Sequence, residues 1–597
     1  MFLRKTERRK NGKTHLYWSV AENRRLDNGR VVQRHVLYLG EINSSQAEAW
    51  RRAIEVFDEG EGRLRSLALF PEDRCEAPHG EDIIRLRLSE MRLCRPRQWG
   101  ACWLSGVLWR ELKLDRFWAE RLSKSRKGTR WDLVLQVLVA YRLISPGSEW
   151  RLHRQWFLDS AMADLLGSDF GLAEAHKLYA CHDLLIAHKQ DLFSHLTERW
   201  RDLFNASFDV LLYDLTGAYF EVNASDLPEE SKRRHGYSRD KRPDCPQLVI
   251  ALVVTPEGLP LAYEVLPGNT ADCKTLRSFL AKIESQYGKA RRVWVMDRGV
   301  PTEEILAEMR ASDPPANYLV GTPKGRLARL EKHLIDKPWR KAREGVEVKL
   351  LAEDDELYVF AQSADRISKE RAMRRRQLKW LWARLKKLAA MDVSRQERLM
   401  KLGAARSKAP SAWRLIKIEV DDKTGAMTYS LDRNKLRTVR RREGRYLLRT
   451  NLTHDDPAEL WQYYVQLVAV EEAFKNLKGD LAIRPVFHHD EKRIEAHIFV
   501  AFLAYCLQIT LTRWLAGLAP GLTARSALQK FAGVQMIDVH LPTTDGREIV
   551  LTRYTQPEPE LQLLIDRLRL TLPAQPPPKI TAAALAKPAR RSEDLLV

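Results

Sequence analysis

The sequence predicts an α/β protein whose central sheet begins with an antiparallel meander. Residues 208–266 carry two runs typical of strands, "FDVLLYDLTGAYFEV" and "QLVIALVVTPEGLPLAYEVLPG", and the second run turns at Pro256-Glu257-Gly258. A helical pattern at 272–287, the strand-like run "VWVM", a helix from about 302 and the short run "NYLVG" follow. This alternation favours a mixed sheet with helices packed on it.

Two separate units are predicted before this sheet. Asn28-Gly29 lies between two runs rich in β-forming residues and indicates a hairpin, so residues 1–45 are expected to form a small β unit. Residues 46–205 repeat apolar side chains every three to four positions, as in "WDLVLQVLVAYRL". This period predicts a helical domain.

A basic segment interrupts the α/β pattern. The run "DRISKERAMRRRQLKWLWARLKKLAAMDVSRQERLMKLGAARSK" is made of helix-forming residues, and strand-like residues around Thr424-Gly425 follow it. The interruption is therefore predicted to be a mixed helical and β subdomain. The expected units are 206–325 and 446–515 for the two parts of the sheet domain, 326–445 for the inserted subdomain, 516–570 for a C-terminal helical region and 571–597 for a Pro/Ala-rich disordered tail.

The composition favours a polyanionic partner. The 597 residues include 100 Lys or Arg against 79 Asp or Glu, which gives a net charge of +21 and a pI near 9.6. This balance favours nucleic acid first and an anionic membrane second. The most apolar run, "IFVAFLAYCL" (498–507), is too short for a membrane span and predicts a buried helix. No signal peptide is expected, and the seven cysteines form no CxxC pair, as in a cytosolic protein with reduced thiols.

Two aspartates interrupt otherwise apolar strand runs. Asp214 lies within "DVLLYDLTGAYFE", and Asp297 follows "VWVM". An aspartate at the end of a strand either caps the next helix or serves as a metal ligand, and an unpaired carboxylate within a buried strand is costly. Two carboxylates on neighbouring strands suit Mg²⁺, and a third would allow two ions to act on a phosphodiester.

The third carboxylate is expected in the segment "YYVQLVAVEEAFKNLKGDLAIRP" (463–485). Glu471 lies at the edge of the apolar stripe that this segment forms as one helix, whereas Glu472 points into solvent. Tyr464, Glu471 and Lys478 are seven residues apart and share one flank, which suits phosphodiester chemistry. The alternative is an ordinary amphipathic helix that carries these three side chains by chance. The stripe consists of Leu467, Val470, Phe474, Leu477 and Leu481.

Taken together, these motifs resemble the DDE transposases of bacterial insertion sequences, specifically the group with the signature Y-x2-R-x3-E-x6-K. The supporting phrases include "LLYDLTGAYFE", "VVTPEGLPLAYEVLPGNTAD", "VMDRGVPTEE" and "VEEAFKNLKGDLAIRP". The resemblance implies a ribonuclease H-like catalytic core that the inserted subdomain interrupts. It also implies that Asp214, Asp297 and Glu471 are the catalytic and metal-binding residues, with Mg²⁺ or Mn²⁺ as cofactor and two ions in the site.

The same resemblance assigns DNA contacts around the three carboxylates. Leu467 occupies the arginine position of the signature, so one contact to the DNA backbone is missing, and a nearby arginine is expected to replace it. Arg298 matches the family's DRG pattern, although the local alternative is a turn before a helix capped near Thr302. The residues expected to contact DNA are Tyr464 and Lys478 at the first and last signature positions, Arg298, and Arg484 or Arg493 as the replacement.

The function implied by the resemblance is cleavage of double-stranded DNA at the ends of an insertion sequence, followed by strand transfer into target DNA. The expected partners are the terminal inverted repeats, which residues 46–205 are candidates to bind, the target DNA, and a second copy of the chain in a synaptic complex. The expected location is the cytoplasm, at the nucleoid. Two alternatives stay open: a ribonuclease H-like nuclease without strand transfer, and a catalytically silent DNA-binding relative.

Two further features have more than one interpretation. His488, His489 and His497 follow the signature helix without a carboxylate or thiol at zinc spacing, so they are expected to be loop or packing histidines. The basic helices expected at 366–408 either contact DNA or form a solvated face.

Overall fold

The computed structural model of the chain contains a large mixed sheet with helices packed on it, and three smaller sheets in the described residues. The structure describes residues 2–10, 13–25, 31–40, 46, 86–122, 128–221, 227–228, 230–238, 242–287, 292–297, 300–322, 330, 337–353, 356–422, 425–453, 456–484, 486, 488–544 and 546–581.

The N-terminal residues form an antiparallel three-stranded sheet with its second strand in the middle. Pairing of the second and third strands confirms the predicted hairpin, while Asn28-Gly29 lies outside the described residues. Leu37 and Leu39 on the third strand are buried in the main hydrophobic core, so this sheet is attached to the rest of the protein. The strands are β1 (Phe2–Lys10), β2 (Lys13–Arg25) and β3 (Val31–Gly40).

A helical region follows, as its apolar period predicts. Its third helix buries Val134, Leu135, Leu138 and Tyr141, which recur at the three-to-four-residue spacing of one helix face. One strand, β4 (Arg92–Gln98), precedes these helices within the residues predicted as helical. The helices are α1 (Gly100–Glu111), α2 (Leu114–Arg121), α3 (Trp131–Ile144), α4 (Glu149–Arg151), α5 (Phe157–Asp159), α6 (Met162–Leu166), α7 (Ala175–Leu185) and α8 (Lys189–Phe204).

The first part of the central sheet contains the predicted meander. Its strands are β5 (Val210–Tyr219), β6 (Gln247–Val254), β7 (Pro260–Pro267), β8 (Val293–Met296) and β9 (Asn317–Gly321). Two helices, α9 (Asp272–Tyr287) and α10 (Glu303–Ala311), connect the later strands. The order is β7-β6-β5-β8-β9, in which β5, β8 and β9 are parallel and β6 is antiparallel to both of its neighbours. The β6 strand is buried along its whole length, which explains its uninterrupted apolar sequence.

The inserted residues extend this sheet, which the sequence did not indicate. Strands β10 (Arg340–Arg343), β11 (Val346–Glu353), β12 (Glu356–Ser363) and, after the helical part, β15 (Arg445–Thr450) continue it beyond β9. In the described residues the full order is β10-β11-β12-β15-β9-β8-β5-β6-β7. The insertion therefore shares the backbone hydrogen bonds of the central sheet, because β15 pairs with β9.

The helical part of the insertion has a hydrophobic core of its own. Leu381, Leu385 and Leu388 on the first helix pack against Leu402 on the second, which confirms the predicted pair of basic helices. A two-stranded antiparallel hairpin covers them. The elements are α11 (Ala364–Ala389), α12 (Arg395–Lys408), α13 (Pro410–Trp413), β13 (Ile416–Val420), β14 (Met427–Leu431) and α14 (Arg433–Arg441).

Three helices follow β15: α15 (Pro457–Val465), α16 (Leu467–Lys478) and α17 (Glu491–Leu518). The α17 helix is long and apolar enough to cross a membrane, but 94% of its most apolar window is buried inside the protein. It packs against α3 and α7 and is the central helix of the main core, as predicted for the run 498–507.

The C-terminal part differs from the prediction of a helical region at 516–570, and the predicted disordered tail contains a strand, while its residues 582–597 lie outside the described part of the chain. Strands β16 (Gln535–Pro542), β17 (Glu548–Tyr554) and β18 (Lys579–Thr581) form a sheet with β4 in the order β18-β17-β16-β4. Buried Arg97 on β4 and Asp538 on β16 form an ion pair with 3.1 Å between Nη2 and Oδ1. The sequence alone did not predict this sheet, because β16 pairs with β4, a strand near the opposite end of the chain. The helices here are α18 (Ala524–Phe531) and α19 (Pro559–Arg567).

Candidate active site

Asp214 and Asp297 lie side by side on adjacent parallel strands. Tyr213 of β5 and Met296 of β8 are partners in the parallel pairing, so the two aspartates take the next positions on the two chains. Neighbouring strands lie about 4.8 Å apart, and residues at the same level point to the same face of the sheet. The strand register therefore brings the two carboxyl groups together.

The helix-cap interpretation of Asp297 is wrong for α10. Thr302 is the N-cap residue of this helix, and its hydroxyl accepts a hydrogen bond from the backbone N–H of Ile305. The Asp297 side chain is exposed at the end of β8, and its carbonyl oxygen accepts from Val300 N–H in the turn that follows. The carboxylate therefore lies exposed at the carboxyl end of β8.

Glu471 lies on α16, and Tyr464 lies on a different helix. The structure divides the predicted continuous helix at Gln466, where α15 ends and α16 begins, and α16 ends at Lys478. Carbonyls of the preceding turn accept the N–H groups at the break, since Gln466 N–H bonds to Tyr463 and Ala469 N–H bonds to Gln466. The predicted stripe is buried at all five positions, which orients Glu471 as expected.

One cavity of about 430 Å³ brings the three carboxylates together. Asp214 and Asp297 line it from the sheet, and Glu471 lines it from α16, with Tyr464 beside them. Glu472, the neighbour excluded by helix geometry, is exposed and is not among the described residues of the wall. The other lining residues are Gly321, Thr322, Arg366, Tyr446, Leu447, Val465, Leu467, Val468 and Val470.

The other predicted DNA contacts lie elsewhere. Arg493 donates from Nε and Nη2 to the two carboxylate oxygens of Asp183, at 2.8 Å each, and these bonds lower the pKa of Asp183. The guanidinium carbon of Arg484 lies 5.5 Å from the ring centroid of Tyr219. Lys478 is half-buried and does not line the cavity. Arg298 lies outside the described residues.

Among the wall residues that the sequence did not predict, Arg366 and Tyr446 have side chains suited to binding a nucleic acid. Arg366 comes from the first turn of α11, and Tyr446 comes from β15, so both belong to or border the insertion. The guanidinium of Arg366 lies 4.7 Å from the centroid of the Tyr446 ring. Nothing in the sequence separates Arg366 from the many basic residues that follow it, because only the fold of the insertion places it at the cavity.

Two family models match this sequence. The model described as "Transposase DDE domain" matches residues 210–507, which include the three carboxylates, and the model described as "IS1634 family transposase, N-terminal domain" matches residues 3–65. Together they span more than half of the chain. The chain belongs to the DDE transposases of insertion sequences. It is therefore a DNA-binding polynucleotidyl transferase that depends on divalent metal and moves an insertion sequence.

Among solved structures, the transposase is similar to a cryo-EM structure of the piggyBac transposase synaptic complex with hairpin DNA. The two chains are 8% identical, the match covers 75% of this chain and 82% of that one, and the TM-score is 0.32. No curated protein is significantly similar to this transposase.

A second polar cluster lies away from the cavity, buried between the helical region and α17. His182 on α7 and His488 before α17 each place Nε2 3.2 Å from Oε1 of Glu149, which begins α4. His497 on α17 lies beside them, and Nη2 of Arg142 on α3 lies 3.4 Å from its Nδ1. His488 and His497 are buried packing histidines and His489 is an exposed loop histidine, as expected from the sequence. The carboxylate beside His488 and His497 comes from Glu149, more than three hundred positions earlier in the chain, so spacing along the sequence did not reveal it.

The donor set of this cluster resembles a metal site, but its charge does not suit one. The ligand atoms of Glu149, His182 and His488 lie within 4.8 Å of one another, a spacing that zinc accepts. The guanidinium of Arg142 is 3.9 Å from Glu149 Oε1 and already balances its charge. A divalent ion would add two uncompensated charges in a buried volume, which is costly. The cluster is best described as a charge network that fastens α3, α4 and α7 to α17.

The stability of the transposase is expected to fall between pH 6.5 and 4. Burial and the nearby Arg142 lower the pKa of His497 to about 4, below its unfolded value of about 6.5. Burial alone raises the pKa of Glu149, but the hydrogen bonds from His182 and His488 outweigh it and bring that pKa well below the ordinary value. For both groups the unfolded chain binds more protons as the pH falls, so acid favours unfolding.

Thermal unfolding midpoints measured from pH 8 to pH 4 test this expectation. The midpoint should decline progressively below about pH 6.5, and His497→Asn should make the decline less steep. A midpoint that stays constant down to pH 4.5 would contradict the assignment of a neutral buried histidine and an ionised glutamate.

Proposed function

We propose that Asp214, Asp297 and Glu471 are the catalytic and metal-binding residues with which the transposase cuts DNA at the ends of its element. The observation that supports this proposal is their convergence on one cavity from three distant segments of the chain. Sheet register supports the pairing of the two aspartates, and the buried stripe of α16 supports the orientation of the glutamate.

We also infer that strands β5–β9 are a ribonuclease H-like core. The support is their order, β7-β6-β5-β8-β9, with three parallel strands and an antiparallel strand between β5 and β7. In this arrangement the two aspartates belong to the central parallel strands, and the helix carrying Glu471 returns after the insertion to contact β5.

The donor set of the cavity fits hard divalent ions. The described lining residues include three carboxylates and neither thiol nor imidazole, the combination preferred by Mg²⁺ or Mn²⁺. We propose two such ions, held by Asp214 and Asp297 from the sheet and by Glu471 from α16. When bound, the ions polarise the phosphodiester and activate the attacking oxygen. Tyr464 can donate its phenolic proton to a phosphate oxygen or stack against a nucleotide.

The proposed partners are the terminal inverted repeats of the element, the target DNA and a second copy of the chain in a synaptic complex. The net charge of +21 supports attraction of the duplex. The proposed recognition region for the repeats is the N-terminal part up to residue 205, whose described strands belong to sheets other than the one that carries the aspartates. The proposed location is the cytoplasm, at the nucleoid.

Metal-dependent cleavage of a labelled duplex that carries an element end tests the proposed function. With Mg²⁺ the wild-type protein is expected to nick at the element boundary and leave a 3′-hydroxyl, and with excess EDTA it should not cut. Adding unlabelled target DNA should join the element strand to it. Cleavage that continues in EDTA would contradict the metal site, and cleavage without any joined product would favour the nuclease alternative.

A further inference from the structure

The glutamate helix has no arginine at the position where the transposase signature places one. Leu467 occupies that position, and its side chain is part of the cavity wall. Of the described residues in this wall, Arg366 is the basic one. Arg493, one candidate replacement, is engaged with Asp183 away from the cavity, and Arg484 lies against Tyr219. A different segment of the chain therefore contributes the basic residue of the described cavity wall.

Contacts within the protein orient Arg366. Its guanidinium lies over the Tyr446 ring, and its Nε is 3.5 Å from Oε1 of Glu370, one helical turn later. Oε2 of Glu370 accepts a hydrogen bond from Gly444 N–H at 3.0 Å, which ties this turn of α11 to the start of β15. Ser363 caps the helix by accepting from Arg366 N–H.

Gly444 makes this close approach possible. Its φ is +67°, and a Cβ at this position would lie 2.3 Å from Cγ1 of Ile367 and 2.6 Å from the carbonyl oxygen of Ser363. The backbone N–H of Ser363 also bonds to Gly444 O at 3.0 Å. The first turn of α11 is thus joined to β15 on both sides of Arg366, while 47% of the arginine side chain stays exposed.

We propose that Arg366 binds the phosphodiester at the three-carboxylate cavity and so performs, from the insertion, the role of the arginine missing at Leu467. This inference rests on the proposed function of the three acids. A guanidinium forms two parallel hydrogen bonds with a phosphate and stays charged at any relevant pH, which suits it to hold a scissile phosphate against carboxylate-bound ions. The ligand is the DNA backbone, so the contact does not depend on base sequence.

Single-turnover cleavage with enzyme in excess separates this role from general DNA affinity. Arg366→Ala is expected to lower the cleavage rate about 10- to 100-fold, the loss typical of one charge-assisted hydrogen-bonded pair. Arg366→Lys should recover only part of the rate, because an ammonium cannot make the paired contact. The matched control is Arg376→Ala, an exposed arginine about 15 Å further along the same helix, which should cut like the wild type.

A second test places an arginine at the signature position and asks whether the lost activity returns. The double variant Arg366→Ala with Leu467→Arg returns a guanidinium to the wall from α16 and is expected to cut at least several-fold faster than Arg366→Ala alone. A third test uses a DNA substrate with a neutral methylphosphonate in place of the scissile phosphate. With that substrate the loss caused by Arg366→Ala should shrink to less than about threefold, since the charge that the arginine binds is gone.

The possible results distinguish a failure of the role proposed for Arg366 from a failure of the three-carboxylate site. If Arg366→Ala cuts at the wild-type rate while Asp297→Asn is inactive, Arg366 is only a partner of Glu370 and Tyr446, and the inference fails while the proposed function stands. If the loss persists unchanged on the methylphosphonate substrate, Arg366 acts at another place and the inference also fails. If Asp297→Asn cuts normally, the proposed function itself fails.

Discussion

Asp297→Asn is expected to lower the rate of Mg²⁺-dependent cleavage at an element end by about 10³-fold or more. Asparagine preserves the shape of the side chain but replaces an anionic ligand with a neutral amide, so the site loses both charge and a preferred oxygen donor. Asp297 is exposed and does not cap α10, so the thermal unfolding midpoint should not change. The same loss is expected for Asp214→Asn and Glu471→Gln, because all three line the cavity.

The matched control is Glu472→Gln. Glu472 adjoins Glu471, is also exposed, and is not among the described residues of the cavity wall. It should therefore cut at the wild-type rate under single-turnover conditions, while all four variants bind an element-end duplex in a gel-shift assay with Ca²⁺ in place of Mg²⁺. An Asp297→Asn protein that cuts as fast as the wild type would show that the strand-end carboxylate is not a ligand, and the three-acid assignment would fall.

The site was predictable from sequence where a local period set the direction of a side chain. In an apolar strand with a two-residue period, a carboxylate such as that of Asp214 stands out as an exception. On a helix with a 3.6-residue period, Glu471 and Glu472 point in different directions, and only Glu471 lies at the edge of the apolar stripe. The same argument did not reveal the break at Gln466, because the stripe from Leu467 to Leu481 begins after it and carries no sign of where the helix starts. Hydrophobic period reports which face is buried, and it does not report whether the backbone is continuous.

Features that depend on contacts between distant segments could not be predicted. The β4–β16 pairing joins the two ends of the chain, and the insertion continues the central sheet through the β9–β15 pair. Arg366 reaches the cavity only because that pairing brings α11 to it. In each case the local sequence predicts the helix or strand but not its position in the fold. That position is determined by contacts with a distant segment, which the local pattern does not identify.

Glu149 is the clearest case of such a dependence, and it gives the largest expected effect on stability. Glu149→Gln is expected to lower the free energy of unfolding by about 3–5 kcal/mol, the cost of leaving one partner of a buried ion pair without the other. The side chains of Glu149 and Arg142 are each 4% exposed, so water cannot compensate Arg142 once the carboxylate is gone. The glutamine oxygen still accepts from the histidines, so the loss reports the charge rather than the hydrogen bonds.

Urea denaturation followed by tryptophan fluorescence measures this effect. The matched control is Glu174→Gln on the same helical region, whose carboxylate pairs with Lys177 at the surface, and it should change the free energy of unfolding by less than about 1 kcal/mol. A Glu149→Gln protein that unfolds at the wild-type urea concentration would mean that Arg142 is balanced by another group.

A double variant separates the burial of an unpaired charge from a simple loss of packing. Replacing Arg142 with methionine in the Glu149→Gln background removes the cation that the first substitution left unpaired, so it should recover at least half of the lost stability. Recovery would identify the network as a balanced pair that joins the helical region to α17, the helix that follows the one carrying Glu471. Further destabilisation would show instead that Arg142 contributes through packing and its bond to Ala482 O, independently of Glu149.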